Sequence, residues 1–238
     1  MDPISQAFFE LEQSPASVAC IGIDWNQRQE YWLAHALAGT TGDEQSRASR
    51  FYLHEDALRH LLGRALARRM LKAYHPKVSL PGQLPHNQWG KPLSPANGPN
   101  FSIAHSASQV WLAWTQAAAV GIDIEPVNVE LHPLDLINSL HHRERAWLLD
   151  CPDGVVPGAL LRCWCRKEAV IKAMGMGLSL PLDSFAVSAQ AMETGWLQEA
   201  PQGEVNQWTC IDIAASPEFQ LSLAAMAPGL MVSYRVAN

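Results

Sequence analysis

Two carboxylates and a glutamate–lysine pair are the residues of this chain whose types and spacing suit a site that holds a divalent cation. Asp123 and Glu125 stand two apart in Val120-Gly121-Ile122-Asp123-Ile124-Glu125, a run that reads as a strand stopped by Pro126. On a strand, residues i and i+2 project from one face, so both carboxylates point the same way. Like charges about 7 Å or less apart are costly unless something positive lies between them, and a divalent cation is the usual answer. Val120, Ile122 and Ile124 take the other face, which marks the strand as packed; an edge strand with solvated acids would alternate in the same way. Glu168 and Lys172 are four apart, one turn along a stretch that reads as helix from about Pro157 to Met176, with Gly177 beyond its end. On a solvated face such a pair contributes only about 0.2–0.5 kcal/mol. Here Trp164, Cys165, Ala169, Val170, Ile171, Ala173 and Met174 surround it, so the two charges are partly buried, and charges of that kind usually serve a site.

The elements that position these groups recur in a similar order. One strand candidate, Val18–Ile23, lies in the first 45 residues, which otherwise read as irregular. A helix from Glu55 to Tyr74 follows, its apolar face made by Leu58, Leu61, Leu62, Ala65, Leu66 and Met70. Arg64, Arg68 and Lys72, four apart, form a basic stripe on it, which a solvated helix face would also explain. From His75 to Asn100, six prolines and three glycines, among them Gly90-Lys91-Pro92, mark a loop long enough to suspect function. Phe101–Ala104 and Val110–Trp114 read as short strands, and Leu134–Leu149 as a helix broken near His141 and His142. Strands are expected again at Ser184–Ala189, Trp208–Ile213, Gln220–Ala225 and Met231–Val236. The order strand, long helix, strands thus appears twice, and Gly22-Ile23-Asp24 recurs as Gly121-Ile122-Asp123. Two similar α+β halves are expected, residues 1–117 and 118–238.

Bulk properties remove several classes of function. Seventeen Lys and Arg against 23 Asp and Glu give a net charge of −6, which argues against a nucleic-acid or anionic-membrane binder. Apolar residues make up 48% and charged residues 17%, enough for a sizeable core and too little charge for disorder. Five cysteines are an odd number in a chain too long to need staples, which points to reduced thiols and a cytoplasmic protein. Asp2, Glu10 and Glu12 leave no basic start for a signal peptide, and no run is apolar enough for a membrane span. Cys163 and Cys165, two apart on a helix, point about 200° away from each other and read as small core thiols rather than a metal pair.

Val120–Glu125, together with Trp164-Cys-Arg-Lys-Glu-Ala-Val-Ile-Lys172, resembles the two signature motifs of the 4′-phosphopantetheinyl transferases, G-(I/V)-D-(I/V)-E and W-x-x-K-E-(A/S)-x-x-K. Gly175–Phe185 and Arg50–Gly63 resemble the surfactin-synthetase-activating (Sfp-type) branch, so the similarity covers about residues 45 to 190. It implies a chain of two similar α+β halves that takes coenzyme A and Mg²⁺. The phosphopantetheine arm goes to a serine of an apo acyl or peptidyl carrier domain, and adenosine 3′,5′-bisphosphate leaves. By the family pattern Asp123, Glu125 and Glu168 are the metal acids. Glu168 is also the candidate base, directly or through a metal-bound water, and Lys172 neutralises the transferring phosphate. Arg59, Lys91 and His105 match the family's coenzyme A contacts. Ala104 replaces a family serine and Ser102 an asparagine. The pair of lysines that relatives set on the 3′-phosphate is missing around Asp43–Ser49, where Arg47 and Arg50 could substitute. A cytoplasmic monomer serving secondary metabolism is expected, with the fatty-acid carrier as a rival client. The alternative is a non-catalytic carrier- or coenzyme-A-binding module, against which the intact set Asp123, Glu125, Glu168 and Lys172 argues. A metal-dependent phosphodiesterase would call for more His and Asp ligands than lie near the acid pair.

Overall fold

The computed structural model describes residues 16–74, 84–95, 98–128 and 133–237, together with Ile4, Phe8 and Leu11. Parts of the expected loop, residues 75–83 and 96–97, lie outside the described residues, as does most of the first fifteen. The chain divides into two units, one made of Met1–Ala117 with Met231–Asn238, the other of Ala118–Leu230.

The first unit opens on β1 (Ser17–Asp24), whose buried apolar residues suit a central strand. Two helices that the pattern did not announce follow, α1 (Gln29–Ala38) and α2 (Gly42–Ala48). Helix α1 escaped because its apolar residues are spread round the helix rather than gathered on a stripe. Helix α2 is set by a capping box: the Thr41 hydroxyl accepts from Glu44 N–H, and Thr41 N–H donates to the Glu44 carboxylate at 3.0 Å. The long α3 (His54–Tyr74) buries Leu58, Leu61, Leu62, Leu66 and Met70 in one core with Phe101, Val110 and Leu112 of the hairpin β2 (Asn100–Ser106) and β3 (Gln109–Thr115).

The second unit follows the same order. Strand β4 (Val120–Pro126) leads to a broken helix, α4 (Pro133–Ser139) and α5 (His142–Asp150), then to α6 (Val156–Met174). The break at His141 is a helix start: the His141 ring accepts from Arg143 N–H and Glu144 completes a capping box. Helix α6 ends two residues earlier than the sequence suggested, because Gly175, at φ 70°, already takes the left-handed cap. Short strands β5 (Ala186–Val187) and β6 (Leu197–Glu199) pair with each other. Strand β7 (Thr209–Asp212) pairs with β8 (Phe219–Ala225), and β8 pairs antiparallel with β4. The sheet order β7-β8-β4 parallels the β2-β3-β1 of the first unit.

The last strand, β9 (Met231–Ala237), corrects the expected boundary of 118–238 for the second half. It hydrogen-bonds in parallel with β1, Ser17 opposite Met231 and Ile23 opposite Ala237, and so extends the first sheet to β2-β3-β1-β9. Parallel pairing with a strand some 210 residues earlier leaves no local trace in sequence.

Candidate active site

In the second unit the acids lie under α6, and a glycine lets the helix reach them. A Cβ at Gly121 would fall 1.9 Å from the Ala169 carbonyl oxygen and 2.4 Å from Ala173 N. Backbone therefore meets backbone at that point, and only hydrogen fits. Asp123, two residues on and on the same face, comes within 2.7 Å of Lys172 Nζ through its Oδ1. Cys165 adds a second stitch, donating its thiol to the Asp123 carbonyl oxygen at 3.1 Å. Gly121, Asp123 and Glu125 thus form the face toward α6, while Val120, Ile122 and Ile124 are buried on the other.

The electrostatics of this face are those of charges withdrawn from water. The Asp123 side chain is 7% exposed and that of Lys172 29%. Burial holds the Asp123 carboxyl above its usual pKa even though Lys172 pulls the other way. Burial also works against the Lys172 ammonium, but the Asp123 charge and hydrogen bond outweigh it and hold its pKa above normal. Glu168, half-buried, is pushed up by burial and then by the charges of Asp123 and Glu125, with Lys172 opposing. The three acids therefore share one electrostatic neighbourhood.

That neighbourhood is not a closed metal cage: among the described residues no three His, Cys, Asp or Glu are arranged to hold an ion by themselves. The residues nevertheless suit Mg²⁺, which keeps waters and is commonly held by one or two carboxylates plus substrate phosphates. Asp123 Oδ2 is buried without any hydrogen-bond partner, a carboxylate oxygen left open to a ligand.

In the first unit, Arg59 Nη1 donates to the carbonyl oxygen of Ala107 at 2.7 Å, in the turn just past His105, and the same guanidinium pairs with Asp56. Arg59 and the exposed His105 are thus drawn to one corner. Lys91 follows Gly90, at φ 87°, in a tight turn where Asn87 Oδ1 accepts from Lys91 N–H at 2.9 Å. A cleft of about 700 Å³ is lined by Arg47, Arg50, Phe51, Arg64 and His86, with Glu44 in its wall. Neither Arg59, Lys91 nor His105 is among its described lining residues.

In the basic stripe of α3, Arg64 and Arg68 are largely covered while Lys72 is exposed. Arg68 donates from Nε and Nη2 to the two Glu44 oxygens, each at 3.1 Å, and Arg64 stands 3.7 Å away. The Glu44 side chain is only 6% exposed; burial raises its pKa, but Arg68 and the Thr41 backbone overcome that and hold it low. Arg64, His86 and Glu44 are site features the sequence reading missed as such. The Thr41-x-x-Glu44 capping signature was the available clue to Glu44.

The second unit holds a strand with paired carboxylates crossed by a helix bearing Glu and Lys, and the first unit holds an arginine-lined cleft; groups of these kinds suit phosphorylated ligands. Comparison with known proteins narrows the class. Residues 119–224 match the family described as the 4′-phosphopantetheinyl transferase superfamily. The chain is 32% identical over 149 residues to 4′-phosphopantetheinyl transferase Sfp of Bacillus subtilis (strain 168), covering 61% of this chain and 64% of Sfp, just under two thirds of that relative. It is 31% identical over 183 residues to 4′-phosphopantetheinyl transferase HetI of Nostoc sp. (strain PCC 7120 / SAG 25.82 / UTEX 2576), covering 72% and 74%. With the L-aminoadipate-semialdehyde dehydrogenase-phosphopantetheinyl transferase of Xenopus laevis it shares 26% over 222 residues, 84% and 72% of the two chains. The chain belongs to the 4′-phosphopantetheinyl transferase superfamily, with relatives of the Sfp type.

Proposed function

We propose that the protein transfers the 4′-phosphopantetheine arm of coenzyme A to a serine hydroxyl of an apo acyl or peptidyl carrier domain and releases adenosine 3′,5′-bisphosphate. The observation that carries this reading is the packing of α6 on Gly121, with Lys172 bonded to the buried Asp123 and Glu168 near enough to feel its charge. The serine oxygen attacks the β-phosphorus, and the bond from that phosphorus to the oxygen bridging to the α-phosphate breaks. Glu168, its carboxyl made more basic by burial and by the neighbouring acids, accepts the serine proton. Lys172 neutralises charge on the transferring phosphate and, before substrate arrives, keeps Asp123 from being buried as a bare charge. Asp123, Glu125 and Glu168 are the residues that would hold Mg²⁺, which when bound supplies charge neutralisation to the pyrophosphate.

Nucleotide recognition falls to the first unit in this reading. Arg59, Lys91 and His105 meet the coenzyme A phosphates, and the cleft with Arg47, Arg50 and Arg64 supplies the cations that the missing lysines would have supplied. In this reading the chain is a cytoplasmic monomer acting on carrier proteins, and its five cysteines form no disulfide with one another. No described helix is long and apolar enough to cross a membrane. The test is direct: the protein is incubated with coenzyme A, Mg²⁺ and a panel of apo carrier domains, and intact-mass spectrometry reads the added phosphopantetheine. Carriers that all remain unmodified would overturn the proposal.

A further inference from the structure

The chemistry uses one side of α6, while another side buries a charge for which the reaction has no direct need. Arg166 is 0% exposed and precedes Glu168 by two residues, so it points about 200° round the helix from it. Its Nε donates to Asp212 Oδ2 at 3.1 Å and its Nη2 to the same oxygen at 2.5 Å. Nη1 donates to the carbonyl oxygens of Ser188 and Gln190, at 2.5 and 2.9 Å, and Nη2 to that of Met192 at 2.8 Å. Desolvating a guanidinium is expensive, and apolar replacements of such buried pairs are often neutral or stabilising. Stability alone is therefore a poor reason to keep this one.

The network's other end lies at the acids. Asp212 Oδ1 accepts from Ser222 Oγ at 2.7 Å, and Ser222, itself fully buried, stands opposite Asp123 in the β4–β8 register. Cys165, next to Arg166, donates to the carbonyl oxygens of Asp123 and of Gln220, the residue opposite Glu125. One chain of contacts thus runs from Arg166 on α6, through β7 and β8, to the level of both strand carboxylates.

We propose that Arg166 is a positioning residue for transfer. Through Asp212 and Ser222 it fixes β8 at the level of Asp123, and through its own helix it sets the rotation that aims Glu168 and Lys172. The lever is steep. A side-chain atom about 6 Å from a helix axis moves roughly 1 Å for a 10° rotation, and a misplacement of about 1 Å can cost on the order of 10² in rate. Lysine cannot replace this fork, because one ammonium cannot reach a carboxylate and three carbonyls at once.

The assignment rests on the transfer reaction proposed above, and the experiment separates the two. Wild type, Arg166→Lys, Ser222→Ala and the double variant Arg166→Met with Asp212→Leu are compared for melting midpoint, KM for coenzyme A and kcat of transfer. Arg166→Lys is expected to lower kcat about 10- to 100-fold with KM for coenzyme A within about twofold, and Ser222→Ala to follow the same pattern more weakly. The double variant, which removes both charges together, recovers a wild-type melting midpoint but not kcat. A double variant that recovers both, or an Arg166→Lys enzyme that is folded and within twofold of wild-type kcat, overturns the positioning role while leaving the transfer reaction standing. A wild type that modifies no carrier overturns the transfer reading, and this assignment with it.

Discussion

At the scale of single residues, the roles of Glu168 and of the phosphate-reading cations are separable by what each substitution removes. Glu168→Gln keeps shape and loses both charge and proton acceptance. General-base contributions run to about 10²–10⁴-fold, so single-turnover transfer should slow by about that much while coenzyme A affinity, read by titration calorimetry, changes far less. A fall smaller than about tenfold would exclude Glu168 as the base. Arg59, Lys91 and His105 belong to the binding side. Neutral replacements should raise KM for coenzyme A more than for dephospho-coenzyme A wherever the residue meets the 3′-phosphate. Equal effects on the two substrates would remove that residue from the 3′-phosphate map.

At the scale of elements, the contact between β4 and α6 is the hinge of the site, and its tolerance is set by one hydrogen atom. Gly121→Ala places a methyl group inside the Ala169 carbonyl and against Ala173 N, so the helix must move away from the strand that bears Asp123. Overpacking a well-filled interior typically costs about 1–3 kcal/mol, and a clash with backbone sits at or above the upper end. A lowered urea midpoint with an unchanged m-value should accompany a loss of transfer, since the same shift parts Lys172 from Asp123. Melting like wild type in this variant would contradict the close approach. The sequence reading placed the glycine in its motif, but nothing in the motif says that a helix carbonyl lies behind it.

At the scale of the whole molecule, charge is divided unevenly between the units, and pH acts on each differently. The first unit carries eleven Lys and Arg against nine Asp and Glu, the second six against fourteen. His60 lies in the basic unit: burial, then Arg64 and Arg47, depress its pKa from 6.5 to about 4. The fold therefore favours the neutral ring. That contribution is fully present above pH 6.5 and is lost as pH falls through the interval down to about 4. His60→Asn should flatten the fall in unfolding free energy across that interval in pH-dependent denaturation; an unchanged slope would show that His60 is not desolvated. The acid-rich second unit should respond instead to ligand. Coenzyme A with Mg²⁺ at about a hundredfold over its dissociation constant should raise stability by about 2.7 kcal/mol, a shift that Asp123→Ala loses in a thermal melt.

Much of this protein was legible in the chain because its signals are local. Period-2 alternation exposed β4 and its two carboxylates, the i, i+4 spacing exposed Glu168 and Lys172, and the apolar stripe of α3 exposed the first long helix. The family resemblance rested on the same short runs. What stayed hidden required distant residues to meet. β9 joins β1 across nearly the whole chain, Arg68 and Arg64 turn back to Glu44, and Arg166 finds Asp212 forty-six residues away. Arg64 and Arg68, which a solvated helix face would also have explained, are paired with Glu44 and largely covered because burial belongs to the assembled unit. Spacing determined which side chains share a face; only the packing of α6 on Gly121 decided that two of those faces meet.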